Sequence, residues 1–168
     1  GSLLPIISNE YGLNNTMSGV LLSAHQVGNL VSGFIAGVLP LYLGRKKAIM
    51  FLCSFVIMGF LIMILTGNPM LLILGFLFTG LSRGSISNFN NTVVNEVSNS
   101  SSAALNFLHS VFAVGALVAP FLVILCTNMA GDIGWKIAAV VIIILASISI
   151  YLFSRMKIED IAKKMKQV

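Results

Sequence analysis

Charge is what this sequence has least of. Of its 168 residues only 9% are Asp, Glu, Lys or Arg, and acids number just five. A soluble domain carries about 25% charged residues. So sparse a set cannot wet the surface of a globule, which excludes a soluble enzyme, a disordered tail and a nucleic-acid binder. Cysteine is nearly absent too. Cys53 and Cys126 lie far apart in apolar runs, with neither a metal-ligand nor a disulfide spacing. No HExxH, phosphate loop or GxSxG occurs, and Ser154-Arg155-Met156-Lys157 matches S-x-x-K by letter alone. No catalytic constellation, metal site or cofactor motif is therefore expected. An initiating Met and a signal peptide are also lacking.

What is abundant is apolar length. Hydrophobic residues make up 57% of the chain, and a helix needs about 20 of them in a row to cross a bilayer. The pattern predicts an all-α integral membrane protein with full transmembrane helices over residues 16–39, 48–66, 70–95, 103–127 and 136–153. Residues 1–7 are too short to span and read as the end of a truncated helix. Residues 154–168 read as a basic tail, more consistent with a linker than with a lipid-binding helix because Glu159 and Asp160 interrupt it.

The few charges are placed informatively. Arg45, Lys46, Lys47, Arg155, Lys157, Lys163, Lys164 and Lys166 fall on one side of this topology, eight of the ten basic residues. The positive-inside rule makes that side, with the C-terminus, cytosolic. Tyr11, Tyr42, Trp135 and Tyr151 fall near span ends, where amphipathic rings settle. The expected location is the cytoplasmic membrane, with lipid as one partner.

Polar residues inside the spans are costly and so turn inward, often along a pathway. At 100° per residue, Ser18, His25, Asn29 and Ser32 share one face of the first full span. Thr79, Arg83, Ser87 and Asn90 share a face of the third, with Asn91 at its edge. In the fourth, Asn106, His109 and Ser110 cluster at i, i+3, i+4. The spans 48–66 and 136–153 carry almost no polar groups. Some helices would thus line a cavity while others shield it from lipid.

Arg83 lies about 13 residues, roughly 20 Å, from either predicted end. It keeps its proton, and insertion scales charge about 2.5–3.5 kcal/mol for it at mid-span. No other span offers a central carboxylate, so its partner is an amide such as Asn90, a group elsewhere, or the solute. His25 and His109 suit either proton relay or simple interhelical hydrogen bonding. Gly33/Gly37 and Gly80/Gly84 are small-xxx-small pairs that permit close helix approach.

The turn Gly37-Val38-Leu39-Pro40-Leu41-Tyr42-Leu43-Gly44-Arg45-Lys46-Lys47 resembles the G-x-L-a-D-R-x-G-R-K-x signature between helices 2 and 3 of the major facilitator superfamily. Gly80-Leu81-Ser82-Arg83-Gly84 is similar to the Arg-Gly pattern of its helix 4. The run Asn106-Phe107-Leu108-His109-Ser110-Val111-Phe112-Ala113-Val114-Gly115-Ala116 is similar to helix 5 of fucose-permease-like sugar transporters. The resemblance covers nearly the whole chain. It implies half of a major-facilitator-type bundle, the end of helix 1 through helix 6, acting with a C-terminal half.

Such carriers bind solute near the mid-plane and expose it alternately to each side. The implied function is secondary active transport of a small polar solute, with a coupling proton. His25, Asn29, Arg83, Ser87, Asn90, Asn91, Asn106 and His109 would form the substrate pathway. Gly37, Gly44, Arg45, Lys46 and Glu96 would form a cytoplasmic gate. Amides suit a sugar, whereas Arg83 would suit an acidic solute. Leu41 and Tyr42 replace the signature's Asp and Arg, which removes the ion pair that Asp makes in relatives and leaves Arg45 to pair with Glu96. Helix 5 lacks the Gly-Pro pair of antiporters, having Gly115 and Pro120 instead, which leans toward symport or facilitated entry. The competing reading is a non-transporting membrane assembly or sensor module built on the same packing.

Overall fold

A computed structural model describes residues 3–156, and every regular element among them is helical. A short α1 (Leu4–Glu10) is followed by α2 (Asn15–Leu43), α3 (Arg45–Leu65), α4 (Pro69–Val97) and α5 (Ser102–Ala130). One 3-10 turn (Gly131–Ile133) leads into α6 (Gly134–Arg155). Lys157, Lys163, Lys164 and Lys166, with Glu159 and Asp160 and most of the expected tail, lie outside the described residues. Four stretches are long and apolar enough to cross a membrane: α2, α3, α4 and the continuous Ser102–Arg155 run that holds α5 and α6.

Local chemistry sets the helix starts. The Asn14 side chain accepts from the Met17 amide at 2.7 Å, Asn68 from Met70 at 2.9 Å, and Ser101 from Ala104 at 3.4 Å. Pro69 opens α4, where its missing N–H costs nothing. Except at the end of α3, which stops at Leu65, the helices α2 to α6 overrun the predicted spans. Pro40 does not stop α2, which continues to Leu43, because a proline in the last turn still offers its carbonyl, and the Gly44 amide donates to it at 3.0 Å. Gly44 alone joins α2 to α3, at φ 77° and ψ 154°, a region open essentially to glycine.

Successive helices run in opposite directions, so their ends gather in two groups. At the Glu10 end, a core of Leu4, Ile7, Leu21, Met63, Leu72, Phe76 and Trp135 unites five helices. At the Arg45 end, Phe89 of α4 meets Phe153 of α6 edge-on, with centroids 5.7 Å apart.

The centre belongs to α4, which packs chiefly against α2 on one side and α3 on the other. Both contacts are backbone to backbone. A Cβ on Gly80 or Gly28 would run into the main chain of the facing helix, and one on Gly84 would meet Ser32 and Asn29. On the opposite side, a Cβ on Gly75 would lie 3.1 Å from the Gly59 carbonyl oxygen. Of the two pairs singled out by spacing, only Gly80/Gly84 is in contact. Gly37 faces open space, and a Cβ on Gly33 would meet only the Asn88 side-chain amide, at 3.9 Å. By contrast α5 stands apart. Val123 is its one buried residue, and it packs mainly on α6.

Candidate functional site

A cavity of about 520 Å³ opens between α2, α4 and α5. Its wall carries Asn29 from α2, then Arg83, Ile86, Ser87, Asn90 and Asn91 from α4, then Leu108, His109, Val111 and Phe112 from α5. Six of the eight residues expected on a pathway are therefore brought together. The 3.6-residue period of α4 explains its share, because Arg83, Ser87 and Asn90 stack on one face.

Two expected residues are elsewhere. Asn106 is exposed near the start of α5 and is not on the wall. His25 is in the α2–α4 joint, where its Nδ1 lies 3.1 Å from the Thr79 hydroxyl. Ser32, from the same predicted stripe, is fully buried in that joint, its hydroxyl donating to the Asn29 carbonyl at 2.5 Å. The polar face of α2 is thus mostly a packing face, and only Asn29 reaches the cavity.

Arg83 is exposed to the cavity, with its guanidinium carbon 6.0 Å from the centre of the Phe112 ring. That cation–π contact is worth about 0.5–1 kcal/mol at an accessible site. Among the described residues Arg83 has neither a hydrogen bond nor an ion pair, and Asn90 is not its partner. No carboxylate stands on the wall. The cavity therefore offers one fixed cation, three amides, a hydroxyl and an imidazole.

At the Arg45 end, Arg45 Nη1 and Nη2 donate to the two Glu96 carboxylate oxygens at 2.6 and 2.7 Å. This bidentate fork has a second electrostatic cause. Arg45 opens α3 and Glu96 nearly closes α4, so each charge opposes the dipole of its own helix. Crossing over, the carboxylate meets the positive start of α3 and the guanidinium the negative end of α4. A smaller cavity of about 310 Å³ adjoins this pair, lined by Gly33, Ala36, Gly37, Pro40, Arg45, Asn88, Phe89 and Thr92. Gly44 supplies the turn, and Lys46 follows at the half-exposed start of α3.

One cluster escapes a reading by stripes. Glu10 accepts from the Trp135 indole N–H and pairs with Lys136 at 2.7 Å. Tyr11 donates to the Met63 carbonyl at 2.8 Å and meets Trp135 edge-on at 6.3 Å. Burial pushes the Tyr11 phenol above its ordinary pKa, with Lys136 opposing. The available signal was charge economy: Lys136 is the lone basic residue of the side opposite Arg45 in the predicted topology, and Glu10 is an acid at that same end.

The family model of the Major Facilitator Superfamily matches residues 1–167. The glucose transporter GlcP of Staphylococcus epidermidis (strain ATCC 12228 / FDA PCI 1200) is 36% identical over 84 residues, which are 50% of this chain and 19% of that protein. No solved structure matches the chain.

Proposed function

The chain belongs to the major facilitator superfamily and is a multi-pass membrane protein, and from that premise we propose that it forms the N-terminal half of a carrier for a small polar solute, a sugar first among them. It acts as a transporter and not as an enzyme. The observation that carries the reading is the cavity of about 520 Å³ that gathers polar side chains from three different helices. Polar groups in a spanning bundle are expensive unless they are used. Asn29, Asn90 and Asn91 can both donate to and accept from a sugar hydroxyl, replacing the water it sheds. The similarity to a glucose transporter supports the same solute class.

A second reading has its own support. Arg83 is the one charged side chain on the wall and faces no carboxylate there, an arrangement that would hold an acidic solute by charge-assisted hydrogen bonds. In either case the site would be completed by a C-terminal half, and rocking of the two halves would expose it alternately. A coupling proton, symport, a cytosolic C-terminus and placement in the cytoplasmic membrane belong to the same proposal. The Arg45–Glu96 fork, with Gly37, Gly44 and Lys46, is its cytoplasmic gate.

Uptake into proteoliposomes by the complete carrier tests this. D-glucose should enter, a carboxylate analogue should not compete, and Arg83→Ala should lower uptake. Unchanged uptake by that variant would remove Arg83 from the pathway, and competition by the acid alone would favour the second reading.

A further inference from the structure

Phe112 lines the large cavity and is 58% exposed, so its ring is no part of the buried core. The Arg83 guanidinium stands over that ring, its carbon 6.0 Å from the centre. The pair bridges α4 and α5, and α5 otherwise packs mainly on α6. The contact draws on the charge of the guanidinium and the electron-rich face of the ring. It consumes none of the five N–H donors that arginine carries. Among the described residues none of those donors is given to a hydrogen bond or an ion pair. Apart from His109, the α5 side of the wall is Leu108, Val111 and Phe112, which offer a guanidinium no acceptor.

Arginine is long and rich in rotamers, and ordering it at the moment of binding subtracts from affinity. A ring that already holds the guanidinium removes part of that cost. The free fork matches two oxygens set side by side, as in a carboxylate, and adjacent hydroxyls of a pyranose present oxygens in a similar way. We propose that Phe112 is a positioning residue whose ring holds the Arg83 guanidinium in the cavity, so that its unspent N–H fork grips two adjacent hydroxyl oxygens of the solute. The grip on solute rests on the transport reading, whereas the Arg83–Phe112 contact stands without it.

Nitrogen NMR of the complete carrier, labelled with 15N-arginine in lipid bilayers, reads the contact directly. The Arg83 guanidinium signals, assigned by their loss in Arg83→Lys, should move when Phe112→Leu removes the ring, and move less in Phe112→Tyr. Unmoved signals in Phe112→Leu overturn the contact. Glucose uptake supplies the other arm. Phe112→Leu should raise KM about two- to fivefold, the worth of an accessible cation–π contact, with little change in maximal rate. Phe112→Tyr should recover most of that loss. Phenylalanines carrying one, two and three ring fluorines at position 112 drain the ring face at nearly constant size and should raise KM in step. A flat series overturns the positioning role. Monodeoxy glucoses that lack either gripped hydroxyl should compete several-fold more weakly than D-glucose, and this difference should vanish in Arg83→Ala. No such difference, or one that survives in Arg83→Ala, overturns the grip. Absence of glucose uptake by the unaltered carrier counts against the sugar reading alone, because the spectrum is read without transport.

Discussion

Replacing Gly80 by alanine adds one methyl group where α2 and α4 touch through their main chains. The new carbon would overlap the His25 carbonyl oxygen and lie 2.9 Å from the His25 carbonyl carbon and 3.1 Å from the Asn29 nitrogen. Ordinary carbon contacts are about 3.5–4.0 Å, and backbone atoms cannot rotate aside as a side chain can. The two helices must therefore separate by about 1 Å. That movement would stretch the 3.1 Å His25–Thr79 contact beyond useful hydrogen-bond length. Overpacking costs about 1–3 kcal/mol and the lost bond about 0.5–1.5 kcal/mol. Alanine's better helix propensity returns about 1 kcal/mol. The net expectation is a loss of about 2 kcal/mol. Gly19 is the control on α2, because a Cβ there meets nothing within 4 Å, so Gly19→Ala should be neutral or stabilising by up to about 1 kcal/mol. Trp135 is the single tryptophan of the chain and lies fully buried in the core at the Glu10 end. Its fluorescence can follow denaturant unfolding of the chain in detergent. Gly80→Ala unfolding at or above the midpoint of Gly19→Ala would refute the backbone-contact reasoning.

Other sites give equally direct expectations. Arg45→Glu and Glu96→Arg should each impair uptake by the complete carrier, and the double exchange should restore part of it; no rescue would discard the pair as a gate. Because the pair is partly exposed, its effect on unfolding should stay within about 1 kcal/mol. Glu10→Ala leaves the buried Trp135 N–H unpaired and should cost about 1–3 kcal/mol, while Glu10→Gln keeps an acceptor and should cost less; equal midpoints would show that the indole bond contributes nothing. Gly44→Ala forces a side chain into a glycine-only conformation and should cost about 1–3 kcal/mol, checked by the same unfolding midpoint.

The helices themselves were legible because apolar length and the 3.6-residue period are local properties. The face of α4 that meets the cavity was legible for the same reason, since Arg83, Ser87 and Asn90 need only their own helix to align. The role of α2's polar face was not. Whether His25 and Ser32 line a cavity or a joint depends on the register of α4 against α2, which Gly28, Gly80 and Gly84 set together. Gly33/Gly37 and Gly80/Gly84 have identical spacing, and only the partner helix distinguishes an open groove from a contact. The Glu10–Trp135–Lys136 cluster joins residues more than a hundred positions apart, beyond the reach of any periodicity. Arg45 and Glu96 were easier, because Glu96 is the one acid at that end outside the tail that holds Glu159 and Asp160, which leaves the charged turn few other pairings.

The uneven seating of the helices gives the cavity two unlike walls. Asn29 and Arg83 hang from a pair of helices locked spine to spine, so their positions shift only if both backbones do. His109 and Phe112 hang from α5, whose one buried residue is Val123 and which packs mainly on α6 rather than on α2 or α4. The two walls are therefore held by unlike contacts, main chain against main chain on one side and mainly the neighbouring α6 on the other. On the transport reading, differences in solute size would fall on the α5 side, whereas the hydrogen-bond pattern set by α2 and α4 would stay constant. Selection for a new solute of similar polarity would accordingly act first on α5, at Leu108, Val111 and Phe112, before it touched the amides.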